Sequence, residues 1–203
     1  MRKIILSALF VALLLMLVSC SGKTDPIFIG GNEEAFENVY EVTGENGKQS
    51  FEYEITLTNT IAITGYTGSF ERHPVVIPDK IDGIEVTEIG PKAFYYDNSI
   101  TSVTIPDTVT TIGAWAFAGC SYLDAVEIPD SVTAVGDGAF YKCTALPRVS
   151  LPESLGEINN YVFYGCETLE TIEIPESVEA IGDSAFWNCS SLTSVSGMQG
   201  IKS

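Results

Sequence analysis

From residue 89 onward the chain returns to the same side chains every 23 residues. Ile89-Gly90, Ile112-Gly113, Val135-Gly136, Ile158-Asn159 and Ile181-Gly182 mark one slot of the repeat. Ala93-Phe94, Ala116-Phe117, Ala139-Phe140, Val162-Phe163 and Ala185-Phe186 mark a second. Ile105-Pro106, Ile128-Pro129, Leu151-Pro152 and Ile174-Pro175 mark a third, and Ile77-Pro78 is an earlier copy displaced by an insertion around Asp82-Gly83. A fixed period in the twenties is the sign of one small supersecondary unit stacked on copies of itself.

Each unit can be read from its periodicities. Val103-x-Ile105, Val126-x-Ile128, Val149-x-Leu151 and Ile172-x-Ile174 alternate as strands do, and the following Pro, which lacks the N–H a ladder needs, ends each one. The Val-x-x-Ile-Gly segment predicts a second short strand with a tight corner at Gly. The Ala-Phe-x-x-Cys segment predicts a short helical or 3-10 turn leading back to the next strand. The expected fold is a repeat solenoid with parallel strands, about five coils over residues 71–203. Stacking aligns Phe94, Phe117, Phe140, Phe163 and Phe186 in one internal spine, where each ring contributes roughly 1.5–3 kcal/mol by burial. Ile100, Leu123, Leu146, Leu169 and Leu192 form a parallel aliphatic column. Cys120, Cys143, Cys166 and Cys189 also share a slot. Equivalent slots face the same way, so these are expected as a row of buried thiols packing as small hydrophobes, in preference to a disulfide framework. A row of ligands does not surround an ion, so no metal site is expected.

The N-terminal part differs. Phe51 to Leu57 alternates apolar and polar residues, Thr58-Asn59 can turn the chain, and Thr60 to Tyr66 supplies a second strand. Residues 51–70 are therefore expected as a capping hairpin over the first coil. Residues 20–50, rich in Gly, Asn, Glu, Ser and Thr, are expected as a spacer. Arg2-Lys3, an apolar run from Ile4 and small residues before Cys20 describe a signal peptide over residues 1–19. Leu17-Val18-Ser19-Cys20 resembles a bacterial lipobox. That resemblance implies acyl chains on Cys20 and a stable membrane anchor, since each buried methylene adds about 0.8 kcal/mol. At the other end the template fails after Val195, where Gly197-Met198 replaces Ile-Pro. The last coil is expected to lack a polar cap, and so to be a surface for self-association or the mark of a shortened gene.

The Ile-Pro, Ile-Gly, Ala-Phe and Cys slots, together with Val75 to Val86, resemble the leucine-rich repeats of BspA-like bacterial surface proteins, over residues 51–196. The resemblance implies a leucine-rich-repeat solenoid on the cell envelope. It also implies adhesion to host extracellular-matrix proteins or to other bacteria. A solenoid supplies a surface rather than a chemistry.

Charge narrows the partners. Lys plus Arg number 10 against 27 Asp plus Glu, a formal net charge of −17, which argues against nucleic acid and against electrostatic adhesion to anionic lipid. The single His, His73, lies beside Pro74 and is read as a surface or packing residue. No nucleophile elbow, zinc-protease helix or phosphate-cradling loop occurs. The carboxylates are spread by the repeat, so no enzyme and no cofactor is expected. The candidate binding residues are outward aromatics and acids. Tyr95, Tyr141, Tyr164 and Trp187 share the slot after the Phe, with Trp115 nearby, and Glu127 and Glu173 lie on the outward strand face. Exposed Tyr and Trp suit a protein partner or a surface glycan; the plain alternative is a half-covered, solvated exterior. Asp107, Asp130, Glu153 and Glu176, after the strand prolines, are expected as a solvated acidic column. The functional expectation is a surface protein for protein binding or adhesion, with a carbohydrate-binding surface protein or a structural envelope component as alternatives.

Overall fold

Two short apolar strands per repeat give each coil two flat sides, and the structure, a computed structural model, places them so. It describes residues 38–44, 47–69 and 71–202; the leader, Cys20 and the spacer up to residue 37 lie outside the described residues. In chain order the strands are β1 (Asn38–Gly44), β2 (Gly47–Ile55), β3 (Ile61–Thr67), β4 (His73–Val76), β5 (Lys80–Ile81), β6 (Ile84–Ile89), β7 (Ile100–Thr104), β8 (Thr111–Ile112), β9 (Ala125–Glu127), β10 (Ala134–Val135), β11 (Glu157–Ile158), β12 (Thr171–Glu173), β13 (Ala180–Ile181) and β14 (Ser194–Ser196). A 3-10 turn, Met198–Gly200, follows.

One side of the coil is the parallel ladder β3-β6-β8-β10, in which Ile89 pairs Ile112 and Ile112 pairs Val135. The other is β4-β7-β9, in which Val75, Val103 and Val126 lie in register. Side chains 23 residues apart therefore sit above one another. The ring spine is continuous: Phe94, Phe117, Phe140, Phe163 and Phe186 stack with centroids 4.9, 5.4, 5.7 and 5.5 Å apart and planes within 14°. Ile100, Leu123, Leu146 and Leu169 are fully buried beside it.

The third side is a chain of tight turns rather than the helical or 3-10 segment expected. Alternate amides bond in different directions. Ala93, Tyr95 and Asp97 donate three residues back, to Gly90, Lys92 and Phe94, while Lys92, Phe94 and Tyr96 donate to Ala114, Ala116 and Ala118 of the next coil. A helix would need every amide to point back along its own chain. Two residues per coil adopt positive φ, for example Lys92 (62°) and Tyr96 (56°), then Trp115 (60°) and Gly119 (77°), and this interrupts helical geometry.

The cap is larger than the hairpin of residues 51–70. β1, β2 and β3 form an antiparallel sheet, and β3 joins β6 in parallel, so the cap continues one side of the solenoid. Residues 38–44 and 47–50, expected as spacer, are strand. Tyr40 pairs Phe51 and packs against the core, while Glu41 pairs Lys48 at 2.6 Å. β1 is an edge strand whose apolar residues Val39, Tyr40 and Val42 do not alternate, with Val39 and Val42 exposed, which hides it from a search for apolar alternation. Phe51 stacks on Tyr66 at 5.2 Å and Tyr66 on Phe94 at 5.0 Å, extending the ring spine into the cap. The insertion before the first coil is a β5–β6 hairpin whose turn, Asp82-Gly83, takes positive φ at both residues.

Both ladders are weakened at the coil containing Pro147 and Asn159. On one side β12 pairs β14, and only the single bridges Glu127 to Ser150 and Arg148 to Thr171 carry the sheet across; on the other β11 pairs β13 and no strand pairing joins it to β10. On one side, Asp124, Glu170 and Thr193 each donate to the coil before, but Pro147 occupies that slot and has no N–H. On the other, Gly90, Gly113, Gly136 and Gly182 donate backbone N–H groups to the preceding coil at 2.7–2.8 Å. A Cβ at Gly136 would come within 2.5 Å of the Ala114 nitrogen, so the slot admits only Gly at that closeness. Asn159 carries a Cβ there, and its side-chain Nδ2 donates to the Val135 carbonyl at 2.9 Å in place of the backbone.

Candidate functional site

The turns that return each coil also carry its outward aromatic side chains. Trp115 and Tyr141 meet at 5.3 Å, Tyr141 stacks on Tyr164 at 4.9 Å with planes 16° apart, and Tyr161 joins Tyr164 at 6.2 Å. These rings make a strip running along the solenoid. Trp187 occupies the next slot of the same column and is 66% exposed. Tyr95 is set apart, because Ala118 fills the intervening slot; it meets Tyr96 edge-on at 4.6 Å instead. Glu127 and Glu173 do not join the strip. They project from β9 and β12 on a strand side, where Arg148, Glu153 and Glu173 border a groove of about 340 Å³.

Glycine seats the outer rings. A Cβ on Gly138 would lie 2.6 Å from Trp115 Cε3, and one on Gly119 would lie 2.6 Å from Tyr96 Cδ1. Both glycines have positive φ (61° and 77°), so the position that lets the chain turn also lets the ring lie flat on it. Cations lie beside three of the outward rings, one of them in the strip. Lys142 Nζ lies 5.3 Å from the Tyr141 centroid, Lys92 Nζ 5.6 Å from that of Tyr95, and the Arg72 guanidinium 3.6 Å above Tyr122. Reasoning from the repeat missed these lysines. Their signal was present, since Lys92 and Lys142 alternate with Gly119, Gly138 and Gly165 in the left-handed slots.

A second feature lies where the cap meets the first coil. Tyr66, Tyr95, Tyr96, Glu52, Lys92 and Asp97 line an open cleft of about 600 Å³. Its wall is anchored by His73, which is only 3% exposed. His73 Nδ1 lies 2.7 Å from the Glu71 carbonyl oxygen, which can only accept, so Nδ1 carries a proton. In the neutral ring Nε2 then accepts from the Tyr66 hydroxyl at 2.6 Å. His73 is thus a packing residue, and it orients Tyr66. Burial, and secondarily Asp97, push the Tyr66 hydroxyl well above its ordinary range and keep it protonated.

The four repeat cysteines are free thiols, with Cys120, Cys143 and Cys166 fully buried and Cys189 partly so. Each donates to the carbonyl of a spine Phe one coil back, as Cys120 to Phe94 at 3.1 Å and Cys143 to Phe117 at 3.2 Å. Burial, with a smaller contribution from Asp97, pushes Cys120 up to about 12; burial also raises Cys143, Cys166 and Cys189. A thiol held neutral is a poor nucleophile, so the column is structural.

Comparison with known proteins agrees with this architecture. The model of the BspA type leucine-rich repeat region matches residues 87–203 in six copies. The crystal structure of a T. pallidum leucine-rich-repeat protein superposes with a TM-score of 0.69 at 40% identity, covering 71% of this chain and 67% of that one. A Bacteroides ovatus leucine-rich-repeat protein (26% identity, TM-score 0.38, 71% and 51% covered) is also similar. So is a leucine-rich cell surface protein of Faecalibacterium prausnitzii (28% identity, TM-score 0.39, 77% and 54% covered). This chain therefore spans about half the length of those two. Among curated proteins none matches at a significant level. A 23-residue parallel coil, a stacked Phe spine and the six matched copies make the chain a member of the BspA-type leucine-rich-repeat family.

Proposed function

We propose that this chain is an exported surface protein, held to the bacterial envelope by acyl chains on Cys20, whose solenoid binds a protein partner in adhesion. The strip Trp115-Tyr141-Tyr164, with Trp187 exposed beyond it, is the observation that carries this reading. Large aromatics dominate protein recognition when they are held rigidly before the partner arrives. Here ring-on-ring stacking and the Gly138 seat hold them. The family supplies the partner class, a host matrix protein or a surface protein of another bacterium. The solenoid acts as a scaffold in this reading, and no residue is assigned a catalytic role.

Matrix proteins immobilised on a surface provide the test. The full chain is expected to bind at least one, with affinity falling about tenfold or more for Tyr141→Ala and for Trp187→Ala. Binding that survives both substitutions would exclude the strip. Radiolabelled fatty acid should enter the wild-type chain and not Cys20→Ala. Protease added to intact cells should remove the solenoid if it faces outward.

Self-association through the last coil is a separate proposal, supported by exposed Val195 and Met198, and light scattering at rising concentration would detect it. A carbohydrate ligand is the second reading, favoured by the exposed ring of Trp187 at the end of the aromatic column. A purely structural envelope role is what complete loss of binding would leave.

A further inference from the structure

The first coil and the cap pack through their ring spine but do not close at the outer edge, and what lines that gap is neither apolar nor of one sign. We propose that the cleft between them is a carbohydrate-binding site that takes the end of a neutral glycan. It is distinct from the aromatic strip and does not depend on the strip binding a protein.

Three kinds of group converge there. The first is a ring platform. Tyr95 and Tyr96 meet edge-on at 4.6 Å and are 46% and 51% exposed, Tyr96 resting on Gly119 and Tyr95 near Lys92, and this exposed aromatic surface suits the C–H face of a sugar. The second is a set of planar acceptors. One Asp97 oxygen accepts from both the amide (2.8 Å) and the hydroxyl (2.6 Å) of Ser99, which fixes the carboxylate and leaves its second oxygen for a ligand hydroxyl. Glu52 lies across Gly65, where the missing Cβ makes room for it, so its carboxylate runs along the cleft wall. The third is a preset phenol. Because the Tyr66 hydroxyl spends its proton on His73, its oxygen can serve a ligand only as an acceptor.

The chemistry of the lining selects the ligand class. A phosphate or other strong anion would meet two carboxylates, Glu52 and Asp97, against the single Lys92. A lipid tail would strand those polar groups without partners. A polyol with an apolar face satisfies both ring and carboxylates. The volume, about 600 Å³, falls in the range of roughly 300–1,000 Å³ usual for small-ligand sites.

The test uses the full chain in detergent on an array of galactose-, glucose-, mannose- and N-acetylglucosamine-terminated oligosaccharides. Wild type is expected to retain at least one of these sugars. Tyr95→Ala and Glu52→Gln are each expected to weaken retention about tenfold or more, while Tyr141→Ala leaves it unchanged. Thermal melting of each variant shows that the fold persists; Glu52→Gln, which keeps the shape of the side chain, decides the matter if Tyr95→Ala melts early. No retained sugar, or retention indifferent to both substitutions, overturns the proposal. Retention lost on Tyr141→Ala and kept on Glu52→Gln overturns it too, by moving the sugar to the strip. Matrix-protein binding by the Tyr95→Ala and Glu52→Gln chains reports separately on the adhesion reading.

Discussion

The side-chain amide of Asn159 donates to the Val135 carbonyl oxygen at 2.9 Å, doing with a side chain what Gly113, Gly136 and Gly182 do with their backbones. The slot is closed to Cβ wherever the ladder is intact. Gly136→Ala is therefore expected to destabilise by about 1–3 kcal/mol through overpacking against Ala114. Asn159→Gly exchanges one hydrogen bond for another and should change stability by less than about 1 kcal/mol. Urea unfolding of the two variants side by side checks the asymmetry.

The Phe spine predicts a gradient. Phe140 is completely buried between two stacked rings, whereas Phe186 is only partly buried. Phe140→Ala should cost about 3–5 kcal/mol and Phe186→Ala distinctly less, read from the same unfolding midpoints.

The thiol column predicts an alkaline weakness. Folding holds Cys120, Cys143 and Cys166 protonated above pH 9, where the unfolded chain releases those protons. The folded state thus binds more protons, so stability falls as pH rises through the window from about 9 to 12. The slope is at most about 1.4 kcal/mol per pH unit for each thiol. Unfolding measured at pH 8, 9 and 10 should show a shallower decline for Cys143→Ala than for wild type.

Tyr66→Phe removes the donor that satisfies His73 Nε2 and leaves a buried ring nitrogen without a partner. The expected loss is about 1–3 kcal/mol, measured by thermal melting, with the ring stack on Phe94 preserved because the phenyl group remains.

The interior was legible in the sequence because its cause is translational. Once residues 23 apart are known to superpose, the Phe spine, the Leu column and the buried thiols follow together. What escaped depends on torsion angles and partners instead. Lys92, Trp115 and Tyr161 are not residues that announce a left-handed backbone, yet all have φ near 60°, and from those angles come the chained turns. The strand Asn38–Gly44 escaped because an edge strand needs only one apolar face in part. The aromatic column was visible as a slot. Whether neighbours touch turned on single side chains, with Ala118 isolating Tyr95 and Gly138 seating Trp115. Asn159 and Pro147 stood in plain view as departures from the template, but their effect on the ladders appears only when the preceding coil is placed against them.

Those two residues divide the molecule mechanically. At their coil one flat side keeps only the Asn159 side-chain bond and the other only single bridges at Ser150 and Arg148, while the turn side still links neighbours fully, through Phe140 to Val162 and Lys142 to Tyr164. A pull on the distal coils would meet its weakest seam there, and the length beyond could unravel as a block while the capped block stayed intact. Under tension the far block would then part before the near one.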